Sequence, residues 1–143
     1  MIQRNIDQLA DTKALAETVA AHLNPGICVA LDGDLGAGKT TFVKYCAEAL
    51  GLRDTVDSPT FTILKTYGPP KLHHMDAYRI GPDSEDLDDA LDDSDAYIFC
   101  EWASRIESRL PVQTIFIKFT HTDDHKVLTF DGNGVIDEDI FSD

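Results

Sequence analysis

The sequence lacks any apolar run near the length of about 20 residues that a membrane-spanning helix requires. Cysteine is scarce as well: Cys28, Cys46 and Cys100 are odd in number and form no Cys-x-x-Cys pair. We interpret them as small core residues in a reducing compartment rather than as zinc ligands or disulfide partners. The N-terminal segment has no apolar stretch after Arg4, which argues against a signal peptide. We therefore expect a cytoplasmic protein with no membrane partner.

Basic residues are the next shortage, with 12 lysines and arginines against 26 acidic residues and a net charge of −14. Proteins that bind nucleic acid directly usually present a basic face, because neutralising the phosphates dominates their affinity. The sequence shows no basic cluster of that kind. We therefore expect neither DNA binding nor stand-alone RNA binding, and any role that involves RNA would need a partner protein.

Apolar patterning predicts strands that alternate with helices. The predicted strands are Ile2–Ile6, Ile27–Leu31, Thr60–Tyr67, Lys71–Tyr78, Ala96–Cys100, Gln113–Thr120 and Lys126–Phe130. The predicted helices are Asp11–Leu23, Lys39–Leu50, a short acidic helix within Pro82–Ser94, and Ala103–Leu110. This order indicates one α/β domain over residues 1–143, with hairpins that make the sheet mixed and an acidic, flexible tail at about 135–143.

The stretch Gly33–Thr40 (GDLGAGKT) matches the pattern GxxxxGK[ST] in full and lies between an apolar strand and a helix. Its glycines let backbone N–H groups turn toward a phosphate chain, and the helix N-terminus adds partial positive charge. We expect Lys39 to reach the outer phosphates and the Thr40 hydroxyl to bind Mg²⁺. The expected nucleotide contacts are Asp34, Leu35, Gly36, Ala37, Gly38, Lys39, Thr40 and Thr41. A dinucleotide-binding loop fits less well, because position 41 is threonine and Lys39 has no role in it.

A loop of this type needs a carboxylate at the metal and a group that orients the attacking water. Two predicted strands end in a carboxylate: Glu101 follows the apolar run Ala96–Cys100, and Asp76 follows His74-Met75. We assign Glu101 to the metal because its strand is the more convincingly buried. Asp76 would then orient or activate water, or contact the water ligands of the metal. The alternative for either residue, which we favour less, is an exposed acid at a strand end.

Two further segments allow a structural and a functional interpretation. Thr60, in the turn Asp57–Phe61, could sense the γ-phosphate as a switch loop does, or its hydroxyl could simply cap a proline turn. The run Asp83–Asp95 carries eight carboxylates, which fit a solvated helix face or a docking surface for a basic partner.

Four segments occur together in the order typical of one family: Gly33–Phe42 (GDLGAGKTTF), Ser58–Phe61 (SPTF), His74–Arg79 (HMDAYR) and Glu101-Trp102. With them the chain resembles the TsaE (YjeE) family, small bacterial ATPases that serve tRNA threonylcarbamoyladenosine biosynthesis. The resemblance spans nearly the whole chain, and the combination is far more specific than the phosphate loop alone. The acidic stretch before Glu101, Ala103 and the acidic tail depart from the family pattern.

The resemblance implies a single P-loop domain, with parallel core strands, flanking antiparallel strands and helices on both faces. It implies hydrolysis of ATP to ADP and phosphate with Mg²⁺. By motif match, it implies catalytic roles for Lys39, Thr60, Asp76 and Glu101, metal contacts from Thr40 and Glu101, a place near the nucleotide for Trp102, and phosphate or partner contacts for Arg79.

The resemblance also implies partners. The chain would bind the threonylcarbamoyl-transfer protein and its paralogous subunit, which modify adenosine 37 of ANN-decoding tRNAs, so it would meet tRNA only indirectly. Hydrolysis would be weak alone and stimulated by these partners. Two alternatives stay open: a small P-loop kinase, for which 143 residues leave little room for a lid, and a nucleotide-gated binding module with incidental hydrolysis.

Overall fold

A mixed seven-stranded sheet organises the part of the chain that the computed structural model describes, residues 1–34, 36, 38–57, 63–78 and 87–141. The strands are β1 (Ile2–Asn5), β2 (Cys28–Gly33), β3 (Leu64–Tyr67), β4 (Leu72–Asp76), β5 (Tyr97–Glu101), β6 (Thr114–His121) and β7 (Lys126–Asp131). The α-helices are α1 (Leu9–Ala20), α2 (Lys39–Ala49) and α3 (Asp88–Leu91), and two 3-10 helices span Ala103–Arg109 and Glu138–Phe141. None of these helices is long and apolar enough to cross a membrane.

The strand order is β1-β7-β6-β2-β5-β4-β3. Strand β2 pairs in parallel with both β5 and β6, and β4 pairs in parallel with β5. The outer pairs β1–β7, β6–β7 and β3–β4 are antiparallel, and the last two are the hairpins that the sequence predicts. The predicted mixed sheet, with a parallel core and antiparallel flanks, is therefore confirmed.

Side chains of β2 alternate between two hydrophobic clusters, one on each face of the sheet. Val29 and Leu31 pack with α1 and α2, whereas Cys28 and Ala30 pack with α3 and the 3-10 helix Ala103–Arg109. A strand covered by helices on both faces needs a continuous apolar run, and this is why Cys28–Leu31 contains no polar residue. The predicted helices on both faces are confirmed.

The three cysteines are buried and free. Burial raises the pKa of the Cys28 thiol to about 12 and raises the pKa values of Cys46 and Cys100 as well. Their thiols therefore stay protonated at neutral pH and act as small apolar side chains of the core.

Several elements are shorter than the sequence predicts. Helix α1 ends at Ala20 rather than Leu23, and β4 ends at Asp76 rather than Tyr78. Helix α3 covers Asp88–Leu91 within the predicted 82–94, and residues 82–86 of that region lie outside the described residues. The predicted strand 60–67 is described from residue 63 and its observed part begins at Leu64.

Residues 135–141 pack on the sheet, although their acidic composition predicts a flexible tail over about 135–143. Phe141, at the end of the second 3-10 helix, is buried, with its ring centroid 4.8 Å from that of Phe130. Ile136 is buried as well, and the Arg4 guanidinium donates a hydrogen bond to the Phe141 carbonyl at 3.0 Å. Acidic residues dominate the composition of this segment, but the apolar side chains of Ile136 and Phe141 are spaced so that they reach the core.

Candidate functional site

The carboxyl ends of the parallel strands β2, β4 and β5 meet at one edge of the sheet, beside the N-terminus of α2. Ligands of open α/β sheets bind at such an edge, outside the carboxyl ends of the strands. A cavity of about 200 Å³ lies there. The described residues that line it are Gly36, Gly38, Lys39, Thr40, Thr41, Asp76, Glu101 and Trp102.

Each of these lining residues is one that the sequence analysis assigns to the site, so the fold brings the predicted residues together. Asp34 is exposed at the start of the loop, and its carbonyl accepts a hydrogen bond from Lys39. Three other predicted residues, Leu35, Ala37 and Thr60, lie outside the described residues, as do Arg79 and the other residues of the predicted turn after Asp57.

Backbone conformation explains why glycine stands at the end of the loop. Gly38 is the residue from which α2 begins, and its φ of 113° lies in the left-handed region that side chains disfavour. A Cβ at this position would meet the Phe119 ring at 3.8 Å, an ordinary contact, so the dihedral angle rather than a lack of space requires glycine. Because α2 starts at Lys39, its first backbone N–H groups have no partner within the helix and are available to an anion.

Lys39 is buried in the loop that it follows. Its ammonium donates hydrogen bonds to the carbonyls of Gly33 at 2.6 Å and Asp34 at 3.0 Å, and it lies 4.1 Å from the centroid of the Trp102 ring. Burial lowers the pKa of the Lys39 ammonium, and the carboxylate of Glu101 opposes that shift. The loop thus holds a buried cation beside the N-terminus of α2.

Thr40 and Glu101 lie 61 positions apart in the sequence, and their side chains are in contact at the wall of the cavity. The Thr40 hydroxyl donates to the carboxylate, with Oγ1 2.8 Å from Oε2 and 3.1 Å from Oε1. On its inner side, Glu101 Oε2 lies 2.5 Å from Nε2 of the fully buried His74. Asp76 is the cross-strand partner of Glu101 and is less buried, with Oδ1 accepting a hydrogen bond from the Tyr78 backbone.

The donor set suits Mg²⁺. This ion prefers oxygen ligands, and proteins usually hold it with one or two carboxylates while substrate phosphates and water complete its shell. The Thr40 hydroxyl and the Glu101 carboxylate supply two such oxygens at one point. Among the described residues there is no group of three or more His, Cys, Asp or Glu side chains that would form a complete cage. A magnesium ion shared with bound phosphates therefore fits these residues better than a metal held by protein ligands alone.

Trp102 has an unusual backbone conformation, with φ 58° and ψ 39°. A bulky residue rarely adopts this left-handed region, and such strained residues cluster at functional sites. The centroids of the Trp102 and Tyr78 rings lie 4.9 Å apart. On the exposed side, Cζ of Arg105 lies 5.0 Å from the centroid of the Tyr78 ring. Asp32 fixes the turn that follows Trp102 by accepting a hydrogen bond from the Ser104 backbone at 3.0 Å.

The sequence analysis missed four residues at or beside the site, namely Asp32, His74, Tyr78 and Arg105. A signal existed for His74: the two-residue period of a strand places it on the same face as Asp76. Its contact with Glu101 depends on the pairing of β4 with β5, which no local pattern specifies.

The site and its surroundings define a mixed α/β domain: a parallel strand, a glycine-rich loop that matches the GxxxxGK[ST] pattern, a helix that begins with Lys-Thr, and an acid on the neighbouring strand. One family profile, described as "Threonylcarbamoyl adenosine biosynthesis protein TsaE", matches residues 6–128. The chain belongs to the TsaE family.

Curated relatives extend over most of the chain. It is 45% identical over 130 residues to the tRNA threonylcarbamoyladenosine biosynthesis protein TsaE of Bacillus subtilis, covering 87% of this chain and 81% of the relative. The protein of the same name from Treponema pallidum is 40% identical over 112 residues, covering 75% and 82%. The crystal structure of Bacillus subtilis YdiB is similar with a TM-score of 0.77 and 38% identity, covering 93% of this chain and 86% of that one.

Proposed function

We propose that the chain is a Mg²⁺-dependent, ATP-hydrolysing subunit that supports the formation of tRNA N6-threonylcarbamoyladenosine. The observation that carries this proposal is the convergence of Lys39, Thr40 and Glu101 on one cavity at the N-terminus of α2. Membership of the TsaE family supports the pathway, because the relatives carry the name of tRNA threonylcarbamoyladenosine biosynthesis proteins.

The cavity would take the phosphate chain of ATP. Its volume of about 200 Å³ lies below the roughly 300–1,000 Å³ of pockets that enclose a whole small molecule. The phosphates and the metal would fill it, and the ribose and base would lie toward its open side. Inside the cavity, Lys39 would exchange its two carbonyl contacts for phosphate oxygens. The first N–H groups of α2 would donate to the same phosphates.

Thr40 and Glu101 would hold Mg²⁺, which supplies charge neutralisation to the phosphates when bound. Asp76 lies at the end of the neighbouring strand, where its carboxylate can accept a hydrogen bond from water at the γ-phosphate and orient it for attack. Thr60, which lies outside the described residues, remains assigned to sensing the γ-phosphate on sequence grounds alone.

The partners in this proposal are the threonylcarbamoyl-transfer protein and its paralogous subunit, and tRNA is met only through them. The net charge of −14 supports indirect contact, since an acidic protein gains little by approaching RNA directly. Hydrolysis would be weak in the isolated chain and rise in the complex.

Steady-state release of phosphate from ATP with Mg²⁺, measured for the chain alone and with the two purified partners, tests the proposal. We expect slow release alone, a clear rise with the partners, and neither in Lys39→Ala. A rate of phosphate release that does not change when the partners are added would contradict the proposed role of the chain in the complex. Transfer of the γ-phosphate to a small acceptor, with no release to water, would identify a P-loop kinase instead.

A further inference from the structure

His74 is fully buried, and its imidazole contacts the acid that the proposed function assigns to the metal. Its Nε2 lies 2.5 Å from Oε2 of Glu101, while the Thr40 hydroxyl lies 2.8 Å from the same oxygen. The Glu101 carboxylate is therefore held from two sides, by a helix residue at the cavity and by a strand residue inside the domain.

Strand register explains how β4 supplies two residues with different positions. His74 pairs with Phe99 and Asp76 pairs with Glu101, so His74 is the diagonal neighbour of Glu101 on the same face of the sheet. Asp76 lines the cavity, whereas His74 has no solvent exposure at all. Strand β4 thus carries Asp76 at the rim of the cavity. Two residues earlier it carries His74, which contacts Glu101 from inside the domain.

The hydrogen-bond pattern of His74 points to a role beyond packing. An ionised carboxylate can only accept hydrogen bonds, so Nε2 carries the hydrogen. The other ring nitrogen, Nδ1, is buried and has no hydrogen-bond partner among the residues that the structure describes. Burying a polar atom without a partner costs free energy, and an apolar side chain would fill this space without that cost. The one polar contact of the ring within the described chain is the one it makes to Glu101.

We propose that His74 is a positioning residue for Glu101. Its Nε2–H bond fixes the direction of the carboxylate, so that Glu101 and the Thr40 hydroxyl present their oxygens at one point for a divalent cation. This rests on the proposed function, because it assumes that Glu101 binds the metal of a Mg²⁺–nucleotide complex. Hydrogen bonds of this kind to a metal ligand set its orientation, and their loss typically lowers metal affinity about 10- to 100-fold.

The test compares ADP binding at a series of Mg²⁺ concentrations and in chelator, by calorimetry, for the wild type, His74→Leu and His74→Gln. Binding of Mn²⁺ in the presence of ADP, followed by electron paramagnetic resonance, gives a second measure that needs no turnover. We expect His74→Leu to raise the half-saturating metal concentration about 10-fold or more and to leave metal-free ADP affinity unchanged. His74→Gln places an amide donor near the position of Nε2 and should recover most of the loss.

His73→Leu is the matched control, because His73 is a buried neighbour on the same strand that contacts Thr66 and Asp93 instead. Should His74→Leu fail to fold, His74→Asn replaces it, since its shorter amide reaches only the position of Nδ1. Wild-type metal dependence in His74→Leu, or in His74→Asn where it replaces that variant, overturns the proposal, as does an equal loss of metal-free ADP affinity or the same change in His73→Leu. Absence of any Mg²⁺ effect on ADP binding by the wild type would instead refute the proposed function.

Discussion

The ammonium of Lys39 lies 4.1 Å from the centroid of the Trp102 ring, and this contact joins the glycine-rich loop to the only tryptophan in the chain. The same ring packs on Tyr78, so a change at Lys39 acts on a stack that reaches the protein surface. Cations over an indole ring are held by its electron-rich face, and moving the cation alters the environment of the ring.

Nucleotide binding should therefore change the fluorescence of Trp102. Phosphates would draw the Lys39 ammonium from the ring, so emission should shift and saturate at the dissociation constant that calorimetry gives for ADP. In Lys39→Ala the starting emission should differ and the nucleotide response should be absent. An unchanged spectrum in the wild type at saturating ADP would show that Trp102 does not report on the site.

Lys39→Ala should lower ATP turnover about 100-fold or more, because a preorganised donor to the charged transition state is lost. Nucleotide binding should weaken as well. Lys44→Ala is the control, since Lys44 lies on the same helix and does not line the cavity in the described part of the chain. Phosphate release and ADP calorimetry measure both effects, and near-native turnover in Lys39→Ala would remove the P-loop assignment.

Glu101→Ala and Asp76→Ala should separate the two acids of the site. Glu101→Ala should abolish the Mg²⁺ dependence of nucleotide binding and of turnover, while metal-free nucleotide still binds. Asp76→Ala should keep the metal dependence and lower turnover about 100-fold or more, as loss of a group that acts on the attacking water does. If Glu101→Ala retains the wild-type Mg²⁺ dependence of ADP binding, the metal contact belongs to Asp76.

Asp93 should make the fold sensitive to acid. Lys71 Nζ at 2.6 Å and His73 Nε2 at 2.8 Å contact the same carboxylate oxygen of Asp93. These contacts hold the pKa of Asp93 well below its ordinary value, and Lys71 makes the larger contribution. The stabilisation is therefore complete above the ordinary pKa of about 3.9, and it is lost as pH falls from there toward the lowered value.

Urea unfolding at several pH values tests this role of Asp93. Asp93→Asn should be less stable than the wild type at pH 7, and its stability should fall less steeply below about pH 4. Asp89→Asn, at an exposed position of α3, should follow the wild type at every pH. A wild-type pH profile in Asp93→Asn would show that the ion pair does not contribute.

Phe141→Ala should lower the free energy of unfolding by about 3 kcal/mol, because the ring is buried against Phe130. Val112→Ala, at a position that is 92% exposed, should change it by less than about 0.5 kcal/mol. Denaturant unfolding measures both, and a negligible effect of Phe141→Ala would mean that the C-terminal segment is loosely held in solution.

Local patterns predicted the centre of the fold and of the site. The runs around Cys28–Leu31 and Ile98–Cys100 are apolar because both faces of their strands are covered. The glycine pattern from Gly33 to Thr40 identifies the loop in the sequence. Each of these signals depends on residues that are close in sequence, so the sequence alone reveals them.

Features that depend on distant pairing were not predictable in this way. The contact of His74 with Glu101 requires the register between β4 and β5, and the position of Trp102 requires a left-handed backbone residue that no residue preference predicts. The packing of Phe141 on Phe130 was concealed by the surrounding acidic residues, which suggested a solvated tail.

The two carbonyl contacts of Lys39 have a consequence for how tightly a nucleotide can bind. In the proposed complex, a phosphate would not meet an unengaged ammonium; it would compete for one that already donates to the carbonyls of Gly33 and Asp34. The affinity for a nucleotide would therefore reflect the difference between two sets of interactions with the same cation. Changes that loosen the loop around the lysine could tighten nucleotide binding without adding any new contact to the ligand.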